Sequence, residues 1–324
     1  MISNEPKLSF SQKLPGLQLA WDSTSLGALK TCPRYYYYNI VMGYVPRNES
    51  IHLKFGLVYH AALEQYDRSR AEGKGHDLSI RMAVRRALID TWDVHLQRPW
   101  FSDDKNKNRY TLMRTIVWYL DQFKDDPLET VILANGKPAV ELSFRLELGR
   151  KSGLTNEDML LCGHLDRLAR TDKENVWIVD HKTTKSTITP EWFEHYSPDN
   201  QFTLYTYAGR IVYAQPIRGI IADVAQIAIT FSRFQRGPVQ RHESTLAEWR
   251  DDLEYWLTSA EYFAKRAEEG GLNEHAWPQN DKSCGNYGGC PYRMICGKSP
   301  SVRKDWLDGK YVKRIWDPLR TREI

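Results

Sequence analysis

An acid and a base two residues apart end one of the most apolar runs of the chain. Residues 177–182 read Trp-Ile-Val-Asp-His-Lys, so apolar residues lead directly into Asp180 and Lys182. Side chains alternate between the two faces of a β-strand, which puts Asp180 and Lys182 on one face and His181 on the other. A second carboxylate, Asp166, interrupts the preceding apolar run. If the two runs form a hairpin, we expect Asp166 to lie near Asp180.

Two carboxylates at the ends of buried strands favour the binding of a divalent cation. They repel each other and are costly to remove from water, and a metal ion relieves both costs. Carboxylate and carbonyl oxygens are the ligands that Mg²⁺ and Mn²⁺ prefer. Such an ion activates bound water and neutralises charge on a phosphate, while a nearby lysine orients the water or stabilises the transition state. Taken alone, an Asp-x-Lys triplet is also typical of a solvated strand end with a weak ion pair.

Two further polar pairs lie at helical spacing. His60 and Glu64 are four residues apart, as are Gln201 and Tyr205, so each pair shares a helix face. Imidazole is a common metal ligand, which makes His60 a candidate. The alternative interpretations are a hydrogen-bonded core histidine for His60, and a helix-terminal amide with a partly buried tyrosine for the second pair.

The cysteines form a pattern that suits metal ligation. Cys284, Cys290 and Cys296 lie close together in the sequence, and Cys32 lies far upstream. Thiolates favour zinc or iron–sulfur clusters, and four of them suit either tetrahedral zinc or a 4Fe–4S cluster. The spacing does not choose between these, and unligated thiols are the third interpretation. Cys162 has apolar neighbours and is interpreted as a packing residue.

The elements that must position these residues change from helices to strands along the chain. Apolar periodicity predicts helices from Ser23 and over about 55–70, 78–96, 108–124, 200–214 and 246–264. Short apolar runs predict strands over 139–148, 159–169, 176–183 and 220–231, with a weaker partner at 239–243. The order predicts one α/β domain over residues 1–324. Its parts are a helical region at about 22–125, a core at about 139–270, and a Cys-rich segment with a basic tail at about 280–324.

Composition is that of an ordinary globular protein. Hydrophobic residues make up 41% and charged residues 27%, and 45 Lys+Arg against 41 Asp+Glu give a net charge of +4. This balance permits nucleic acid as a partner without arguing for it. No apolar run approaches the roughly 20 residues that span a bilayer, and the N-terminal residues lack the layout of a secretory signal. We therefore expect a cytoplasmic protein that does not enter a membrane.

The last residues mix bases with aromatic rings. Residues 301–324 contain seven Lys+Arg against four Asp+Glu, together with Trp306, Tyr311 and Trp316. Such a mixture suits phosphate contacts and base stacking. A tail that packs its aromatic rings back onto the domain is the alternative. The chain has no Gly-x4-Gly-Lys-Ser/Thr phosphate loop, so ATP-driven unwinding would need a partner protein.

Taken together, these motifs resemble the RecB-like branch of the PD-(D/E)XK nuclease superfamily. The resemblance covers about residues 23–296, and the motifs follow the family's order. Residues 56–64 are similar to its histidine motif, 163–166 and 179–182 resemble its two core motifs, and 201–205 resemble the motif that follows. The cysteines resemble an iron–sulfur subset of CRISPR-associated and phage exonuclease-like proteins, in which one upstream and three downstream cysteines hold a cluster. The first downstream gap is five residues here, where two is frequent in that family.

The resemblance implies a restriction-endonuclease-like fold, with a central mixed sheet flanked by helices, and a metal-dependent DNA exonuclease. It implies Mg²⁺ or Mn²⁺ as the metal, with action in recombination, repair or phage DNA metabolism beside a helicase or recombination partner. The implied metal ligands are His60, Asp166, Asp180 and the backbone carbonyl of His181. Lys182 would act on the attacking water or the scissile phosphate, and Gln201 and Tyr205 would position Lys182 and the DNA backbone. The implied cluster ligands are Cys32, Cys284, Cys290 and Cys296, with zinc as the alternative to iron and sulfur.

Other functional classes stay open at this point. One is a nuclease-fold protein that binds DNA as a structural partner without significant catalysis. Another is a zinc-binding regulator, which explains the cysteines but leaves Asp180 and Lys182 without a purpose. The acid–acid–lysine set favours the nuclease, because a binding module does not need it.

Overall fold

The computed structural model describes residues 8–48, 50–172, 175–213, 215–270 and 274–320. The helices are α1 (Ser23–Thr31), α2 (Pro33–Tyr36), α3 (Ile51–Ala71), α4 (His76–Asp90), α5 (Arg109–Gln122), α6 (Pro190–Glu194), α7 (Asn200–Val212), α8 (Glu243–Glu269), α9 (Arg293–Cys296) and α10 (Pro300–Lys310). The strands are β1 (Ala20–Trp21), β2 (Tyr44–Pro46), β3 (Trp92–Asp93), β4 (Arg98–Pro99), β5 (Glu129–Thr130), β6 (Val140–Lys151), β7 (Asp158–Arg170), β8 (Val176–Thr184), β9 (Ile217–Ile227), β10 (Ser232–Gln240) and β11 (Tyr311–Lys313).

The chain divides into two compact units, each assembled from segments that are distant in sequence. The first unit comprises Met1–Asn48, Phe144–Gly163 and His242–Ile324, and the second comprises Glu49–Ser143 and His164–Arg241. Two of the divisions therefore fall within β6 and β7. The single domain expected over residues 1–324 stays a prediction.

A mixed sheet forms the centre of the second unit, where β7, β8, β9 and β10 lie side by side in that order. Strand β8 is antiparallel to β7 and parallel to β9, and β9 is antiparallel to β10. Because β8 has a neighbour on each side, its first residues form a nearly continuous buried run instead of a polar–apolar alternation.

Helices cover both faces of this sheet. Helices α3, α4 and α5 share one buried apolar cluster with residues of β9 and β10, including Tyr59, Ile116 and Phe234. On the other face, α7 approaches β8 so closely that a Cβ at Gly209 would lie 3.0 Å from Cδ1 of Ile178. The mixed α/β fold with a central mixed sheet flanked by helices is therefore confirmed.

Two predicted elements differ from the structure. The helix predicted over 78–96 ends at Asp90, because the Asp93 carboxylate accepts hydrogen bonds at 3.0 Å from the N–H groups of His95 and Leu96. Trp92, which carried the apolar spacing, is 43% exposed. The strand predicted over 220–231 covers Ile217–Ile227 in the structure. Its partner, predicted over 239–243, is β10, which covers Ser232–Gln240. Pro238 argues against a strand in the sequence, but β10 tolerates a proline because it is an edge strand of the sheet.

In the first unit, an N-terminal strand and helix pack beside later segments. Strand β1 runs parallel to β7 at Leu160 and Leu161, and Asp22 caps α1 by accepting the N–H of Ser25 at 2.9 Å. Near the C-terminal end, Tyr311 stacks on Tyr292 with ring centroids 5.3 Å apart.

The described part of the basic tail packs back within this unit. The indole N–H of Trp316 lies 3.4 Å from the Asp22 carboxylate. The ring of Trp306 is faced by the ammonium groups of Lys298 and Lys310, at 4.5 and 4.6 Å from its centroid. The aromatic tail therefore has partners in the protein itself, as one of the two interpretations expected.

Candidate active site

The hairpin of β7 and β8 brings the two strand-borne acids together. The paired register runs from Arg170↔Val176 to Arg167↔Val179, so Asp166 and Asp180 follow at the end of the ladder. There the Asp166 carboxylate accepts the backbone N–H of His181 at 2.9 Å. The first acid thus fastens itself to the strand that carries the second.

A chain of polar contacts runs from Asp180 to helix α7. Nζ of Lys182 lies 2.5 Å from Oδ2 of Asp180 and donates to Oε1 of Gln201 at 3.1 Å. Nε2 of Gln201 in turn donates to the Tyr205 hydroxyl at 3.2 Å. The ammonium also lies 5.7 Å from the ring centroid of Phe202. Gln201 and Tyr205 therefore lie on one face of α7, as the helical spacing predicted, and Gln201 joins Tyr205 to the lysine through hydrogen bonds.

His60 projects from α3 towards the first acid. Its Nδ1 lies 3.2 Å from Oδ2 of Asp166, and both side chains are mostly buried. Glu64, four residues later, instead pairs with Arg68 at 2.9 Å. Of the two polar residues on this helix face, only His60 meets the strand-borne acids in the described structure.

His181 lies on the opposite face of β8 from Asp180 and Lys182. Its ring meets those of Tyr59 and Tyr119 edge to face, with centroids 6.5 and 5.9 Å away. Burial lowers the pKa of His181 to about 4, although the charge of Asp223 opposes that effect. The neutral ring is therefore a core residue, and any contribution of His181 to metal binding rests with its backbone carbonyl.

Burial and neighbouring charges shift the pKa values of the two acids in opposite directions. Burial raises the pKa of Asp180, and the negative charge of Asp166 adds to that effect while Lys182 opposes it. Burial acts on Asp166 in the same direction, but His60, His181 and Lys182 together hold the pKa of Asp166 well below its usual range. Burial lowers the pKa of Lys182, yet the two acids outweigh burial and leave it raised. One acid is therefore firmly ionised, and the other depends on Lys182 for its charge.

The donor chemistry of this centre suits a hard divalent cation. Among the residues that the structure describes, no three His, Cys, Asp or Glu side chains are arranged to hold a metal ion. Buried Oδ2 of Asp180 has no hydrogen-bond partner, since Lys182 approaches it closely without hydrogen-bond geometry. A cation that binds Asp180 would take over the charge compensation that Lys182 and His60 provide to the two carboxylates. His60, Asp166 and Asp180 therefore supply donor types that suit a divalent cation, and metal binding would require Lys182 to move away from Asp180.

A buried charged network supports β8 from the side of His181. Asp223 accepts hydrogen bonds from the Tyr119 hydroxyl at 2.5 Å and from Nε of Arg236 at 2.8 Å. Nη1 of Arg236 also donates to Asp126 at 2.8 Å. Sequence reasoning missed this network, although Asp223 interrupts the apolar strand β9 just as Asp166 interrupts β7.

Two of the four candidate cluster cysteines contact the backbone of Asn280 in the first unit, and a third lies within electrostatic reach of both. Cys32 ends α1 and begins α2, and its sulfur accepts the N–H of Asn280 at 3.3 Å. Sγ of Cys284 lies 3.9 Å from the carbonyl oxygen of Asn280. Burial raises the pKa of Cys290, and the thiolates of Cys284 and Cys32 raise it further. These thiols are thus within electrostatic reach of one another.

The fourth cysteine, Cys296, lies within electrostatic reach of the buried Arg34. Burial raises the pKa of Cys296 to about 11, while Arg34 opposes that effect. Arg34 donates from Nε to the carbonyl of Trp277 at 2.8 Å, but its buried Nη1 has no hydrogen-bond partner and reaches Glu274 only at 3.9 Å. An incompletely satisfied guanidinium beside thiols suits an anionic thiolate cluster. Cys162, by contrast, is a buried packing residue, as expected.

Comparison with known proteins decides the family. The family described as the PD-(D/E)XK nuclease superfamily matches residues 21–297. The chain belongs to the PD-(D/E)XK nuclease superfamily. Nucleases of this superfamily generally use divalent metals such as Mg²⁺. The matched residues include the acids, the lysine and the cysteines described above.

Among solved structures, this PD-(D/E)XK nuclease is similar to a "putative exonuclease" from Eubacterium rectale. The two are 9% identical, with a TM-score of 0.46 over 83% of this chain and 88% of the other. No curated protein matches the chain. No helix within the described residues is long and apolar enough to cross a membrane.

Proposed function

We propose that this PD-(D/E)XK nuclease is a Mg²⁺- or Mn²⁺-dependent DNA exonuclease whose catalytic centre contains Asp166, Asp180 and Lys182. The observation that carries the proposal is the position of Lys182. Its ammonium lies 2.5 Å from Asp180 and 3.1 Å from Gln201, on the strand next to Asp166. A lysine held between an acid and an amide is positioned before substrate binds, which supports a role in phosphate chemistry.

The reaction is hydrolysis of a phosphodiester bond, assisted by a divalent cation. Water adds to phosphorus, one P–O ester bond breaks, the water gives up a proton and the departing oxygen gains one. When bound, the divalent cation neutralises charge on the phosphate and increases the acidity of the water. His60, Asp166, Asp180 and the carbonyl of His181 would hold it.

Lys182 would stabilise the charge that develops during this hydrolysis. Its ammonium donates to the attacking water or to a phosphate oxygen as negative charge develops. Gln201 fixes the ammonium by accepting its hydrogen bond, and Tyr205 fixes the Gln201 amide. Tyr205 and Gln201 also lie on the helix face from which the DNA backbone would be positioned.

Exonuclease action and the biological process rest on the motif order. It resembles that of RecB-like nucleases, which act in recombination, repair and phage DNA metabolism. Such a role implies DNA ends or single strands as substrate and a helicase or recombination protein as partner. The alternative function, a nuclease-fold scaffold that binds DNA without significant catalysis, gains no separate support from the site.

We also propose that Cys32, Cys284, Cys290 and Cys296 hold a 4Fe–4S cluster, with zinc as the alternative metal. Support comes from the mutual electrostatic reach of the thiols and from the buried guanidinium of Arg34 beside them. Because the ligands come from distant parts of the chain, the cluster would close a very long loop, and its role would be structural.

The nuclease proposal is tested with end-labelled linear and closed circular single-stranded DNA in Mg²⁺ or Mn²⁺. We expect the wild type to degrade linear DNA and to spare circles, whereas Lys182→Met degrades linear DNA about 10²–10³-fold more slowly. Lys137→Met, which removes an exposed lysine from a turn, is the matched control and keeps full activity. Cutting of circles would replace exonuclease by endonuclease action. A folded wild type that leaves every substrate intact would reject catalysis and favour the DNA-binding scaffold.

The cluster proposal is tested on protein purified without oxygen. We expect absorbance near 400 nm, roughly where thiolate-ligated iron absorbs, and about four irons per chain. Cys32→Ala should lose the iron and Cys162→Ala should keep it. One zinc and no iron per chain would establish the alternative, and the absence of both metals would reject the site.

A further inference from the structure

A second lysine reaches the catalytic strand from another part of the chain. Lys107 lies in the segment between β4 and α5 and is only 3% exposed. Its Nζ donates to Oγ1 of Thr183 at 3.0 Å, one residue beyond Lys182 on β8. Helix α3 approaches the same hydroxyl, since a Cβ at Gly56 would lie 4.0 Å from it. Lys107 therefore ends where the strand leaves the proposed catalytic centre.

The buried ammonium of Lys107 is incompletely satisfied. Besides Thr183 it faces the ring of Phe55, with 5.4 Å between Nζ and the ring centroid. In the described part of the chain, no carboxylate lies within ion-pair distance of Lys107. The nearest acid in its own segment, Asp104, instead pairs with Lys185 at 3.2 Å and accepts the backbone N–H of Lys107 at 2.9 Å. An ammonium has three donors, so Lys107 can accept a further anionic partner.

Other cationic groups surround this position. The side chain of Lys185 is 42% exposed and lies just past the end of β8. Burial lowers the pKa of His52, and Lys107 and Lys185 lower it further, which places the three groups within electrostatic reach of one another. Asp104 alone opposes them in that set. Excess positive charge next to a reaction centre for polyanions favours phosphate binding.

We propose that Lys107 and Lys185 form a phosphate-binding site at the carboxyl end of β8, and that its ligand is a backbone phosphate of the DNA strand being cut. A phosphodiester carries one negative charge and two unesterified oxygens, which can accept from both ammonium groups. It supplies the charge partner that Lys107 lacks. Thr183 follows Lys182 on β8, but alternation along the strand puts their side chains on opposite faces, so the bound phosphate lies at the end of β8 and belongs to a part of the DNA strand beyond the scissile phosphate.

The identity of the ligand rests on the proposed nuclease function, but binding at this site does not require cutting. The test therefore measures binding of fluorescent single-stranded DNA by anisotropy in EDTA, where a metal-dependent enzyme does not cut. Lys107→Met and Lys185→Met each remove one ammonium and keep a long apolar side chain, Lys107→Arg keeps the charge, and Lys137→Met is the control for loss of one exposed lysine. Thermal unfolding of every variant shows whether it is folded.

We expect Lys107→Met to raise the Kd about tenfold, the size of one charge-assisted hydrogen bond. The slope of log K against log salt should fall by about 0.7, which corresponds to one lost phosphate contact on a single strand. Lys185→Met should act in the same direction, Lys107→Arg should restore most of the affinity, and Lys137→Met should leave both quantities unchanged.

Neutral methylphosphonates at single positions then locate the contact. One position should weaken wild-type binding as much as Lys107→Met does and should have no further effect on that variant. Unchanged affinity and salt slope in folded Lys107→Met and Lys185→Met would overturn the site. If the wild type cuts DNA in Mg²⁺ and these variants bind normally, only the phosphate site fails. If the variants lose affinity but the wild type never cuts, the site stands and the nuclease proposal fails.

Discussion

Replacing Lys107 with methionine should stabilise the folded protein while it weakens DNA binding. Burial lowers the pKa of Lys107 from 10.5 to about 8, and the charge of Lys185 adds to that effect. The difference corresponds to about 3 kcal/mol of unfavourable free energy when the folded lysine is charged. The lost contacts with Thr183 and Phe55 return about 1–2 kcal/mol. At pH 7 we therefore expect Lys107→Met to be more stable by about 1–2 kcal/mol.

The pH dependence of this difference identifies its cause. Below pH 8 the lysine is charged in both the folded and the unfolded chain, so the full cost is present. Between pH 8 and 10.5 the unfolded chain binds the proton that the folded chain has lost, and the stability of the wild type rises relative to the variant. Urea unfolding of both proteins at pH 7 and pH 10 measures the free energies. A variant that is less stable than the wild type at pH 7 would show that Lys107 stabilises the fold, and the reasoning would be refuted.

Further predictions concern the catalytic centre, the charged network and the cysteines. Lys182→Met should lower kcat by about 10²–10³-fold at nearly constant KM, because the ammonium acts on charge that develops in the transition state; an effect on KM alone, in steady-state assays with labelled DNA, would contradict this. Gln201→Ala should lower kcat by about tenfold, since Lys182 loses the amide acceptor that fixes its ammonium; rates equal to the wild type would remove Gln201 from the positioning role. Asp223→Asn should destabilise the fold by about 3 kcal/mol in urea unfolding, as a buried guanidinium loses a charged partner; a change below about 0.5 kcal/mol would argue against the network. Cys32→Ala should lower the Tm of the metal-loaded protein, and an equal loss in Cys162→Ala would show a packing effect instead.

Local periodicity was enough to predict the strand that carries Lys182 and the helix that carries Gln201 and Tyr205. Alternation along β8 put Asp180 and Lys182 on one face, and the structure joins them at 2.5 Å. Spacing of four residues put Gln201 and Tyr205 on one helix face, and they form one hydrogen-bonded pair. These relations depend on neighbours in sequence, which is why the sequence alone reveals them.

Contacts between distant segments were not predictable in the same way. Lys107 and Thr183 are 76 positions apart, and Lys107 lies in a loop without a repeating pattern. The pairing of Arg236 with Asp126 spans 110 positions. Only the folded sheet, which sets β9 beside β8 and β10 beside β9, brings such groups together. The early end of α4 has a local cause instead: the side chain of Asp93 accepts the N–H groups of His95 and Leu96 and so competes with the helical hydrogen bonds.

The discontinuous first unit has a consequence for the order in which the protein can be completed during translation. Both segments of the second unit have been synthesised once Arg241 is added. The first unit, by contrast, still lacks its segment from His242 onwards, so its N-terminal helices emerge long before their partners. If the four cysteines hold the proposed cluster, Cys32 stays a free thiol until Cys296 has left the ribosome, and loading of that cluster is a late event. A ribosome that stops after Arg241 would release a chain with every proposed catalytic residue and only one of the four proposed cluster cysteines.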